Sequence, residues 1–302
     1  MILEAAVLDV KPDRVAEFES AFARARSIIA AAGGHLSNEL RRSIERPSRY
    51  LLLVRWRTLE DHVEGFRKSA AYSEWKTLLH HFYDPFPTVE HYEALRPPGP
   101  APVVEFFFSP ASRYSYLAAS QIALLEAETG CLVEWRPVNG ADIRTLRGRD
   151  PFSGDAVSGQ YEWSYRRSDA ETWAEYYGIP FREPPSRDFD FVLLARAATA
   201  AKRLGAGADY GWQLCSAVYA SDAWPLDESL CAQVAVESGL ERAEFATTLH
   251  GAETERELSE AAKEAHRRGA FGVPTFFVGD RMFWGNDRIA LVKHALAKIA
   301  AG

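Results

Sequence analysis

The sequence predicts two domains of different class, an α+β unit over residues 1–96 and an α/β unit over residues 103–302, and three observations predict them. The first is the run Arg96-Pro97-Pro98-Gly99-Pro100-Ala101-Pro102. It cannot continue a helix or a central strand, because proline removes donors and fixes φ. Residues 97–102 therefore read as a stiff, polyproline-like spacer. The second is an element order of βαββαβ before the spacer. The third is an order of βαβ, a long helical stretch and ββα after it.

In the first unit, Ile2 to Val10 is the opening strand. Val15, Phe18, Phe22, Ala25 and Ile29 recur at helical spacing, and Gly33-Gly34 ends that helix. His35 to Ile44 and Tyr50 to Arg57 are extended runs around Glu45-Arg46-Pro47-Ser48, a hairpin. Thr58 with Asp61 forms a capping box that opens a second helix, and a last strand runs through Val89 and His91. This is the split-βαβ, ferredoxin-like pattern.

Trp56 at the end of the third strand and Phe66-x-x-Ser69-x-x-Tyr72-x-x-Trp75 on the second helix resemble the antibiotic-biosynthesis-monooxygenase (ABM) family. The resemblance implies a dimeric α+β barrel and, in some members, oxidation of quinol-like aromatics without metal or flavin. Other members degrade haem with an Asn on the first strand and a His on the second helix. Here that strand has no Asn and the helix position reads Lys76, so haem use is not expected. Phe66, Tyr72 and Trp75 at helical spacing are ordinarily core, and core is the favoured reading over an active monooxygenase.

In the second unit, Val103 to Phe108 is a continuous apolar run, suited to a strand buried on both faces. A helix from about Tyr116 towards Gly130, a strand from Leu132 to Val138 and a mostly helical stretch from about Ala141 to Arg268 follow. Phe271 to Val278, Arg281 to Trp284 and Asn286 to Ala300 supply the closing ββα. That order is the thioredoxin scheme with a helical insertion, in its DsbA-like form.

Three ordered motifs over about Val103 to Ala300 resemble 2-hydroxychromene-2-carboxylate isomerases and kappa-class glutathione transferases. They are Phe108-Ser109-Pro110-Ala111-Ser112-Arg113-Tyr114-Ser115-Tyr116, Trp173-Ala174-x-x-Tyr177-Gly178-Ile179-Pro180, and Phe271-Gly272-Val273-Pro274-Thr275 with Phe283-Trp284-Gly285-Asn286-Asp287-Arg288. In that family a Ser-Pro-x-Ser segment replaces the redox Cys-x-x-Cys. Here Ser112-Arg113-Tyr114-Ser115 matches it, with Arg113 in place of the proline.

The resemblance implies a glutathione-dependent isomerase or transferase, and the residue types suit thiol chemistry. A free thiol has a pKa near 8.5, so little of it is thiolate at neutral pH. A hydroxyl at a strand-to-helix turn donates to the sulfur and favours the anion, and the helix N-terminus adds positive potential. Ser112 is the expected catalytic residue, with Ser115 and Ser109 as substitutes. Pro274 occupies the position of the thioredoxin cis-proline, which would present the Val273 main chain to an extended thiol peptide. By resemblance, Asn286 and Asp287 meet the γ-glutamyl end of glutathione, whose ammonium faces the Asp carboxylate. Arg144 lies near the isomerases' substrate-carboxylate cation; Arg113 is its alternative, or is simply solvated. Trp284 is a candidate pocket wall.

Composition bounds the rest. A net charge of -7 does not favour nucleic acid or an anionic membrane, and no apolar run spans a bilayer. Met1-Ile2-Leu3-Glu4 has no basic region typical of a signal peptide. Cys131, Cys215 and Cys231 are too scattered for a disulfide framework or a metal site, which suits the cytoplasm. No His-Glu-x-x-His or Gly-x-Ser-x-Gly motif occurs, so neither a metal nor a serine hydrolase is expected. The expectation is a cytoplasmic homodimer that isomerises an aromatic-derived small molecule with glutathione or another low-molecular-weight thiol. The alternatives are a glutathione transferase or other thiol-assisted step in aromatic polyketide or xenobiotic metabolism, and a non-catalytic thiol or ligand binder. The N-terminal domain is then either a cofactor-free monooxygenase or a dimerisation module. Lack of Cys-x-x-Cys argues against a disulfide oxidoreductase.

Overall fold

The computed structural model describes residues 1–93, 99–148, 163–186, 188–221 and 223–300, in two compact units, Met1–Pro98 and Gly99–Gly302.

In the first unit, β1 (Ile2–Asp9) lies between β3 (Arg49–Trp56) and β4 (Thr88–Tyr92), antiparallel to both, and β2 (His35–Arg42) flanks β3. Helix α1 (Val15–Ala30) buries Phe18, Phe22, Ala25 and Ile29 of the stripe its spacing predicts, together with Ala21, while Val15 is half-buried. The capping box is real: Thr58 N–H donates to Asp61 Oδ2 and Asp61 N–H to Thr58 Oγ1. It does not open one continuous helix, however. It opens a π-helical turn, Asp61–Phe66, and α2 (Ala70–Leu79) starts afresh where Ser69 Oγ accepts the Tyr72 N–H. Gly65 weakens the first segment and Ser69 is a strong cap for the second. Phe66 and Trp75 are buried in this unit's core, as the core reading expects.

In the second unit, β5 (Val103–Phe108) runs parallel to β6 (Leu132–Pro137) and antiparallel to β7 (Thr275–Val278), and β8 (Arg281–Trp284) closes the order β6-β5-β7-β8. The expected single helix after β5 is two, α3 (Arg113–Ala119) and α4 (Ile122–Thr129), the latter ending on left-handed Gly130. The helical stretch comprises α5 (Gly140–Arg147), α6 (Trp163–Tyr177), α7 (Phe191–Arg203), α8 (Gly207–Tyr219), α9 (Glu228–Glu237), α10 (Arg242–Leu249) and α11 (Ala252–Arg267). The last described element is α12 (Ile289–Ala300).

Both faces of β5 are covered, which is why its sequence is an unbroken apolar run. Val104, Phe106 and Phe108 join a large core with α3, α4, α7 and α8, while Phe107 and Phe277 pack under α5 and α11. Phe106 stacks on Phe276, ring centroids 4.9 Å apart. Gly211 of α8 sits against this aromatic layer, where an added Cβ would stand 2.9 Å from Phe108 Cζ and from Trp135 Cε3. Alanine at an ordinary helix position is favoured over glycine by about 1 kcal/mol, but overpacking a core costs about 1–3 kcal/mol. The clash with two ring edges outweighs the propensity gain. Gly211→Ala should therefore destabilise the second unit, by roughly 1–2 kcal/mol in chemical denaturation.

Candidate active site

The C-terminal ends of β5 and β6 and the N-terminal end of β7 lie together, because Phe107 pairs with Thr275 and Phe108 runs alongside Pro137. Most of the predicted site residues leave the sheet at this edge.

Ser112 caps α3 with extended backbone, and its Oγ accepts the Ser115 N–H at 3.3 Å. Its own O–H is therefore available as a donor. Ser115 is fully buried and its Oγ accepts the Ser109 N–H at 3.3 Å, while Ser109 is itself 5% exposed. The geometry separates the three candidates: Ser115 and Ser109 build the turn, and half-buried Ser112 is at its surface.

The Val273-Pro274 bond is cis, as its position implied. Among the described residues, neither the N–H nor the C=O of Val273 has a main-chain partner. Gly285 N–H donates to the Pro274 carbonyl at 3.0 Å, which brings the Asn286–Arg288 turn back beside the proline. Asn286 is 4% exposed, and among the described residues its Nδ2 has no acceptor. Its carbonyl accepts the Tyr177 hydroxyl at 3.3 Å. Asp287 is exposed, with Arg288 Nη2 3.4 Å from Oδ2. The turn packs against α3, the helix that Ser112 caps.

Arg144 and Val273 converge on Gly140: from its Cβ position, Val273 Cγ2 is 3.5 Å away and Arg144 Nη1 3.7 Å. Trp284 is partly exposed and packs on Phe271, centroids 4.9 Å apart. Arg113 departs from expectation. It is not solvated but 7% exposed, and its Nη1 lies 2.8 Å from Glu183 Oε1, also buried. Glu183 was not legible in the sequence. The one available signal was an arginine inside a helix turn that buries its neighbours, which demands a carboxylate from somewhere.

The chain's own thiols lie in the core. Cys131, Cys215 and Cys231 are buried and unpaired, and burial pushes all three up, Cys231 to about 12.

Comparison with known proteins agrees with this architecture. The model of the DSBA-like thioredoxin domain matches residues 103–297, and that of the antibiotic biosynthesis monooxygenase family matches residues 1–78. The chain is 30% identical over 198 residues to a 2-hydroxychromene-2-carboxylate isomerase from Pseudomonas sp. (strain C18), covering 64% of this chain and 90% of the relative. A solved 2-hydroxychromene-2-carboxylate isomerase superposes with a TM-score of 0.57 at 27% identity, covering 65% of this chain and 95% of the other. The N-terminal part is 53% identical over 93 residues to the uncharacterised protein YczJ of Bacillus subtilis (strain 168), covering 31% of this chain and 98% of YczJ.

Gly285 has a φ of +108°, and an added Cβ would sit 2.4 Å from Asp287 Oδ1. Gly285→Ala should cost more than about 1 kcal/mol in denaturation and displace the Asp287 carboxylate. Both effects are visible by comparing unfolding curves with the amide spectra of the turn.

Proposed function

We propose a function from one premise, that the chain belongs to the family of DSBA-like thioredoxin domains and, within it, to the family of the 2-hydroxychromene-2-carboxylate isomerases. On our reading it is a cytoplasmic enzyme that isomerises an aromatic-derived small molecule with the help of glutathione or another low-molecular-weight thiol.

The observation that carries this reading is the buried amide of Asn286, a donor with no acceptor, one residue from the exposed Asp287 carboxylate. A buried polar group without a partner is costly, and a thiol peptide's carboxylate would relieve it while its ammonium meets Asp287. The free main-chain groups of Val273 suit the peptide's extended middle, and Ser112 suits its sulfur.

A bound thiol would supply a nucleophilic sulfur that adds to a conjugated carbon and leaves once the bond has rotated, with no net redox. The chain's residues bind and orient. Ser112 directs its O–H at the sulfur and favours the anion, Arg144 offers a cation for a substrate carboxylate, and Trp284 with Phe271 forms an apolar wall.

Calorimetry with glutathione and other small thiols tests the reading. Asp287→Ala should weaken binding by about 1.5–3 kcal/mol, the range for a hydrogen bond to a charged group. No binding of any small thiol to the unmodified protein sinks the proposal. Ser112→Ala should raise the pKa of the bound thiol by about one to two units, read from thiolate absorbance against pH. An unchanged titration removes the hydroxyl from the mechanism.

The N-terminal domain is proposed to pair two chains. Val7 and Leu51 oppose each other in the β1–β3 ladder and are 40% and 38% exposed, on the sheet face its own helices leave uncovered. Sedimentation of the full chain should show a dimer, and Leu51→Glu a monomer. A monomeric parent protein contradicts the assignment.

A further inference from the structure

The N-terminal unit encloses a polar cluster that the proposed thiol chemistry does not use. Glu4, on β1, is 6% exposed and lies opposite His91 of β4 in the ladder. Its Oε2 accepts the Trp56 indole N–H at 2.7 Å and stands 3.5 Å from His62 Nε2. The other nitrogen of His62, Nδ1, is 2.8 Å from His91 Nε2. His62 is buried and stacks on Trp56, ring centroids 5.1 Å apart and planes 14° from parallel. His91 is exposed. The three groups form a file from a buried carboxyl to solvent.

Two hydrogen-bond polarities fit this file. With Glu4 ionised, His91 Nε2–H donates to His62 Nδ1, and His62 Nε2–H faces the carboxylate across the 3.5 Å contact. With Glu4 protonated, the polarity reverses: the carboxyl O–H faces a bare His62 Nε2, and His62 Nδ1–H donates to His91 Nε2. Starting from His91 protonated on both nitrogens, the passage between them is balanced. His91 Nε2 gives its proton to His62 Nδ1, and His62 Nε2 gives its proton to Glu4. His62 ends as the other neutral tautomer, and one net proton has moved inward.

We propose that His91, His62 and Glu4 form a proton relay that connects the buried Glu4 carboxyl of the N-terminal unit to solvent.

The surroundings favour uncharged inner groups. Burial pushes the Glu4 carboxyl up, against the Trp56 hydrogen bond and the Arg67 charge. Burial, then His91 and Arg67, depress His62 to about 4, and burial and Arg67 also lower His91. His35, edge-on to Trp56 from β2, is depressed to about 4 by burial and Arg26. A carboxyl needed only as partner of the Trp56 indole would not require two further titratable rings leading outward.

The test follows the Trp56 indole N–H and the His91 ring protons by NMR against pH in the full-length chain. The relay requires the two signals to titrate together, because the macroscopic steps belong to the coupled groups. His91→Gln, at the exposed end, removes a cationic partner and should raise the midpoint seen at Trp56 by about one unit. Glu4→Gln removes the anion and should lower the His91 midpoint. His62→Phe keeps the stack on Trp56 but deletes both ring nitrogens, and it should uncouple the two signals. Independent titration in the parent protein overturns the relay. So does coupling that survives His62→Phe, because it would then be a field effect between Glu4 and His91.

Discussion

The register of β7 against β5 governs the second unit and its site. Phe107 pairs with Thr275 and Phe106 with Phe276, and the second pair also stacks as rings in the core. A slip of one residue would turn Phe276 out of that layer and Phe277 into it. It would also shift Val273, two residues before β7, relative to the end of β5. The parallel pairing of β6 delivers Gly140 and Arg144 to the same edge, and the β7–β8 hairpin returns Asn286 there through the Gly285–Pro274 hydrogen bond. Residues more than 170 positions apart in the chain, such as Ser112 and Asn286, are therefore positioned by main chain rather than by bonds to each other.

The helical insertion then fixes the turn on which Ser112 sits. Tyr114 donates to Asp169 at 2.9 Å, Tyr116 to the Pro180 carbonyl at 2.5 Å, and Tyr219 to the Ala111 carbonyl at 2.6 Å. The Arg113–Glu183 pair belongs to the same set. A buried ion pair contributes little net stability, because desolvation offsets the attraction. Its consequence here is geometric. Proline at the first helical position comes pre-shaped for the helix. Arginine at that position lacks this constraint, and the tie to Glu183 supplies another. Arg113 thus belongs to the scaffold of the turn.

How much was legible in the sequence follows the range of the interactions. The β5 run, the α1 stripe, the Thr58–Asp61 box and the Ser112 cap are local patterns, and each was readable from a few residues. The order of motifs was enough to assign the thioredoxin scheme. What failed was also local in cause but finer. Ser69 restarts a helix that the capping box had opened, and α3 and α4 divide at Ser120-Gln121. What could not be read at all depends on long-range pairing. Nothing near Arg113 points to Glu183, and nothing near Glu4 points to His62 or His91. Those contacts exist only once strands and turns distant in sequence are brought side by side.

The placement of sulfur decides what kind of thiol chemistry the second unit can carry. A thiol works as a nucleophile only as thiolate, and burial holds all three cysteines of this chain in the protonated form. The turn where a redox protein would hold its dithiol carries Ser112 and Ser115 instead, and Ser115 is fully buried with its Oγ accepting the Ser109 N–H. In the proposed reaction the sulfur must therefore come from a ligand. The protein cannot store electrons at this turn, and a hydroxyl there can only polarise. For the proposed reaction this favours addition followed by expulsion, in which the thiol is regenerated, over disulfide exchange, which would need a second sulfur within reach. In that proposed reaction the cost is dependence on a surrounding pool of reduced low-molecular-weight thiol.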